Sequence, residues 1–185
     1  MKRIAPLAFT AILTLASLAA MPSAGAEAYG FKGALLGSHV GLVANNPKYD
    51  CRAVNTPTAD RVCGLRKDEQ ETMAGVPVES VFYYYDQGLL TGVVVHLDEK
   101  RFQTVVEALR VKYGSPVTTT ETLKTLAGTA FENRIHTWRQ AGQSIVAQRY
   151  SGRVDKSSIR ILDDGAAERI RQRRDAVAKQ PARDL

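Results

Sequence analysis

The chain has 185 residues, with 25 basic and 19 acidic side chains, three histidines and a formal net charge of +6. That length fits one domain with a core of useful size, and 44% hydrophobic residues exclude a disordered or low-complexity polypeptide. A charge this modest gives little support to a nucleic-acid role, so no nucleic-acid partner is expected.

At the N-terminus Lys2 and Arg3 precede an apolar run from Ile4 to Ala20, and Ala24-Gly25-Ala26 follows with small residues. This is the layout of a secretory signal peptide, with cleavage expected after Ala26. Pro6, Thr10, Thr14 and Ser17 dilute a run already short for a bilayer, so no transmembrane anchor is expected in the mature form. Removing 26 residues from 185 leaves 159. Losing Lys2 and Arg3 leaves 23 basic against 19 acidic groups, or +4. The expected organisation is residues 1–26 as signal peptide, 27–164 as a single domain and 165–185 as a basic C-terminal helix or tail.

Ala28 to Gly33 alternates aromatic and small residues and reads as a short strand. Ser38 is placed to cap a short helix through Val40, Leu42 and Val43, ended by Asn45-Asn46-Pro47. Cys51 and Cys63 are the only cysteines. In an oxidising compartment they read as a disulfide stapling the turn-rich Asn55–Asp60 loop. Their spacing is too wide for a C-x-x-C redox pair, and two thiols are too few for zinc. Residues 68–73 remain undecided between strand and connector.

Val76 to Tyr85 is β-branched and aromatic, Asp86-Gln87-Gly88 turns the chain, and Val93, Val95 and Leu97 share a face of the return strand. Asp98 then caps a helix whose stripe is Phe102, Val105, Val106, Leu109 and Tyr113, stopped by Gly114 and Pro116. Thr118–Thr120 favours extended structure, and Leu123 with Leu126 reads as one helical turn closed by Gly128. Arg134–Trp138 and Ser144–Tyr150 form a second hairpin about Gln140-Ala141-Gly142-Gln143, and Ser157–Leu162 alternates as a further strand. The fold class expected is α+β: an antiparallel sheet from two hairpins and added strands, with one long amphipathic helix packed on it and a short N-terminal helix.

From Ala166 the composition turns basic. Arg169, Arg171, Arg173 and Arg174 lie on a helix whose substantial apolar residues are Ile170 and Val177, and it reads as solvent-exposed and frayed, with a disordered end from Gln180. The functional alternative is a basic contact to an anionic envelope surface or partner.

The run Phe102-x-x-Val105-x-x-Ala108-Leu109-x-x-Lys112-Tyr113-Gly114-x-Pro116, followed by Trp138 in a hairpin, resembles a pattern in small uncharacterised exported proteins of proteobacteria. That resemblance covers roughly Phe31 to Leu162 and implies fold and compartment only.

No motif for catalysis, metal or cofactor stands in the sequence: no G-x-S-x-G, no Walker loop and no paired-histidine spacing. His96 and His136 lie in different expected strands and would share a site only if the sheet brought them together. In Phe82-Tyr83-Tyr84-Tyr85 successive side chains alternate faces. If the outer face is uncovered, Tyr83 and Tyr85 beside Trp138 or Tyr150 form a candidate platform for a glycan or peptide; otherwise these rings belong to the core. The function expected is a non-catalytic periplasmic binding or envelope-accessory domain. Its alternatives are a small envelope hydrolase and an inhibitor or immunity protein for a secreted toxin.

Overall fold

A computed structural model of the chain describes residues 27–124 and 128–178. The expected signal peptide, Leu126 and the end from Gln180 lie outside the described residues. One small ribbon and a helical turn come first: β1 (Gly30–Phe31) with β2 (Ala34–Leu35), then α1 (Gly41–Ala44). There follow β3 (Tyr49–Thr56), β4 (Ala59–Leu65), β5 (Thr72–Met73), β6 (Val76–Pro77), β7 (Ser80–Asp86) and β8 (Leu89–Asp98). A 3-10 turn leads into α2 (Phe102–Tyr113), then β9 (Val117–Lys124), β10 (Ala130–Gln140), β11 (Gln143–Gln148), β12 (Lys156–Asp163) and α3 (Ala166–Ala178).

This corrects the expected α+β class. Half of the structure is strand and only about 21% helix, and an eight-stranded antiparallel sheet dominates in the order β3-β4-β7-β8-β12-β11-β10-β9. The long amphipathic helix is likewise corrected to 12 residues, about three turns. The strands that tipped the balance, β3 and β9, are the two edges of the sheet. Their polar sequences YDCRAVNT and VTTTETLK lack the apolar alternation that marks a half-buried strand.

Four two-residue turns shape the ribbons. Lys32-Gly33, Ala74-Gly75, Gln87-Gly88 and Ala141-Gly142 all have positive φ at both positions, the geometry that matches the twist of a tight hairpin. Two of these turns close β1–β2 and β5–β6, which the sequence did not announce. Val76 to Tyr85 is consequently not one strand: β6 pairs with β5, and the main sheet resumes at Ser80.

One face of the sheet carries the core. Val81, Tyr83, Val93, Val95, Leu97, Ile145, Ala147, Ile159 and Ile161 all point to it and are buried. Two things cover it, the N-terminal segment and α2, which buries Phe102, Val105, Val106 and Leu109. Asp98 Oδ1 accepts from Lys100 N at 2.9 Å and so caps the turn that launches α2. Gly114 at φ 81° ends the helix, and its carbonyl accepts the Trp138 indole N–H at 2.8 Å. In α1 the capping nitrogen is His39 Nδ1, which accepts from Gly41 N at 3.2 Å, and Ser38 does not cap.

Candidate functional site

The proposed aromatic platform is corrected by burial. Tyr83 is 1% exposed, Tyr85 0%, Trp138 3% and Tyr150 8%. Tyr83 meets Tyr49 edge-on at 5.3 Å between ring centroids, on the face that the N-terminal segment covers. Burial raises the pKa of both hydroxyls, that of Tyr85 to about 12. Tyr150 stands edge-on to Phe131, with the Arg149 guanidinium 4.9 Å from its ring. Of the two alternatives, the rings belong to the core. Phe82 and Tyr84 are the half-buried pair on the open face.

Cys51 and Cys63 are disulfide-bonded. They face each other directly across β3 and β4, with Cα atoms 4.0 Å apart, so the bond cross-links two strands and the connection is shorter than the loop expected from Asn55 to Asp60. No free cysteine occurs among the described residues.

The C-terminal arginines do not form a free cationic stripe, which corrects the solvated tail. Ile170 is 1% exposed, and Arg173 makes a two-pronged ion pair with Asp86, a carboxylate 8% exposed at the end of β7. Arg169 pairs with Asp163, Arg171 with Glu168 at 2.7 Å, and Arg174 donates to the Ala59 carbonyl at 3.4 Å. A helix with one large apolar contact is thus held to the sheet chiefly by charge and hydrogen bonds.

His96 and His136 lie on opposite faces of the sheet. His136 is buried in the core face, its Nδ1 2.8 Å from Thr118 Oγ1 and its ring stacked on Phe102 at 5.9 Å. His96 is on the open face with Nδ1 3.0 Å from Ser80 Oγ. Burial lowers both pKa values, and for His136 the cations Arg110 and Arg134 lower it further, so both rings are neutral at pH 7. No group of three or more potential metal ligands occurs among the described residues.

The arrangement best suited to a ligand is the open face beside α3. A cleft of about 390 Å³ has Tyr84, Val94 and Leu162 as its sheet residues and Ala166 and Ala167 as its helix wall. Gly92 adds no side chain, which keeps the floor low. On the same face of the sheet, cross-strand neighbours run from Phe82 through Val94 and Arg160 to Val146. The adjoining row runs from Ser80 through His96 and Ser158 to Gln148. Arg160 Nη2 donates to Gln148 Oε1 at 3.3 Å, whereas Arg160 Nε and Ser158 Oγ are buried without a partner.

The carboxylates at the rim are already committed. Asp163 holds Arg169 and accepts from Gly165 N, and Asp164 accepts from Ser144 Oγ at 2.5 Å and from Arg139 at 3.2 Å. Among the described residues no carboxylate is hydrogen-bonded to His96; its Nδ1 meets Ser80 Oγ instead. The face presents aromatic and aliphatic surface with an arginine. Sequence reasoning missed it, although Phe82 with Tyr84, Val94 with His96 and Arg160 with Leu162 share parity and were legible as one face.

No helix among the described residues is long and apolar enough to cross a membrane, and the disulfide fits an oxidising compartment. No protein-family model, no curated protein and no solved structure matches the chain.

Proposed function

We propose that the chain is a non-catalytic binding domain of the periplasm, released by cleavage after Ala26, that holds another protein on the open face of its sheet. The observation that carries this reading is the half-exposed strip Phe82, Tyr84, Val94 and Leu162 beside α3, with Arg160 next to it. Aromatic anchors with an adjoining arginine are the side chains that dominate protein interfaces. The Cys51–Cys63 bond and the resemblance of the Phe102–Pro116 run to exported proteins support the compartment. An inhibitor or immunity protein for a secreted toxin is one form of the same reading, because its work is also done by a face.

The test is affinity capture from periplasmic extract with three baits: the wild type, Tyr84→Asp, and Val111→Asp on α2, where Val111 is 89% exposed. One partner is expected with the wild type and Val111→Asp, and at least tenfold less of it with Tyr84→Asp. Equal recovery by all three folded baits overturns the use of this face. Hydrolysis of an ester, peptide or glycoside substrate that disappears in His96→Ala overturns the non-catalytic reading.

A further inference from the structure

The covered face of the sheet holds a second cleft, well away from the open face. It lies where the tips of the β1–β2 and β5–β6 ribbons approach α2, and its volume is about 310 Å³. Phe31, Met73, Val105, Leu109, Ile145 and Ile161 line it, all of them buried core residues. Space exists there because small residues stand where large ones would close it. Ala74 lies on the ribbon turn, and Ala108 on α2 between Val105 and Leu109.

Two cations belong to the same lining, Lys32 and Lys112. The Lys32 ammonium is matched, being 3.0 Å from Glu71 Oε1 and 3.4 Å from Thr72 Oγ1, and this contact also ties the two ribbons together. Lys112 is not matched. Its ammonium stands 5.0 Å from the Tyr113 ring and no carboxylate lies within ion-pair distance among the described residues. The cleft thus combines an apolar interior with one unneutralised positive charge.

We propose that this cleft binds a fatty-acid anion, with the alkyl chain between α2 and the ribbons and the carboxylate at Lys112. At about 30 Å³ for each heavy atom, the volume accommodates roughly ten carbons, the size of decanoate. The apolar chain supplies the attraction by burying its methylenes, and the lysine selects the sign of the head group. This site is independent of the open face, so either proposal stands if the other fails.

Isothermal titration of the purified, oxidised protein with decanoate tests it, using decyltrimethylammonium and butyrate as comparison ligands. Saturable one-to-one binding of decanoate is expected, at least tenfold tighter than decyltrimethylammonium, with no detectable binding of butyrate. Ala108→Phe fills the cleft and Lys112→Glu reverses its charge, so each should weaken decanoate at least tenfold. Lys112 is exposed, so Lys112→Glu keeps the experiment decisive even if Ala108→Phe does not fold. Unchanged decanoate affinity in Lys112→Glu, equal affinity for the two head groups, or no saturable binding below the micellar concentration overturns the proposal.

Discussion

Replacing Arg173 by alanine removes the cation from Asp86, a carboxylate with no other ion-pair partner among the described residues. Asp86 is 8% exposed and receives two guanidinium nitrogens, one of them at 2.7 Å. Breaking a fully buried pair costs about 3–5 kcal/mol, because one charge is left desolvated and unpaired. Here the arginine side chain is 34% exposed, so water partly replaces it and the loss should be about 2 kcal/mol. For a chain of this size that corresponds to a fall in Tm of roughly 4–8 °C. Arg171→Ala is the matched control, since among the described residues Arg171 pairs within α3, with Glu168, on the exposed side, and its removal should leave stability nearly unchanged. Urea unfolding of the oxidised protein measures both, and limited proteolysis reports whether α3 has come away from the sheet. If Arg173→Ala unfolds at the same urea concentration as Arg171→Ala, charge does not hold α3 and the docking described above is wrong.

Replacing both cysteines by serine should cost about 3 kcal/mol, as expected for a 12-residue separation, and calorimetry of the double variant checks it. Tyr85→Phe should be neutral or stabilising by up to about 1 kcal/mol, because the Tyr85 hydroxyl is buried without a partner; a loss above that by urea unfolding would show a missed hydrogen bond. The pKa of His136 is lowered in the fold from its ordinary value of 6.5, so the unfolded chain takes up the proton first. Stability should therefore fall as pH drops below about 6.5 towards the folded value and level off beneath it, and His136→Gln should flatten that limb of a stability-versus-pH series. Glu71, lowered from 4.5 despite its burial by its hydrogen bonds to Thr72 and Lys32, adds a separate loss below about pH 4.5 that Glu71→Gln removes.

Where alternation and capping were strong, the sequence was readable. Val93, Val95 and Leu97 on one face, the Asp98 cap and the Gly114 stop all reappear in the structure. Illegibility had two causes. Edge strands need not bury either face, so Thr118 to Glu121 carries no apolar period although it pairs residue for residue with β10. Parity, moreover, says which side chains travel together but not which face is covered. That was decided by Phe31 and Tyr49, which come from distant segments and pack on Tyr83. The same gap hid the open face, whose residues come from β7, β8 and β12 and meet only once the sheet is assembled. Arg173 was recognised as a basic residue, but its partner Asp86 is 87 positions away and nothing local pointed to it.

The strand order has a consequence for how the chain reaches this state. β3, β4, β7 and β8 form one consecutive meander and β9 to β12 another, and the two are joined only by β8 with β12. A polypeptide emerging from its N-terminus completes the first meander while β12 is still unmade. During that interval the long edge of β8, with Val93 and Val95, is bare. Ile159 and Ile161, the residues that will cover that edge, follow the whole of the first meander in the chain. The vulnerable moment in the life of this molecule is therefore set by topology and lasts until β12 reaches β8.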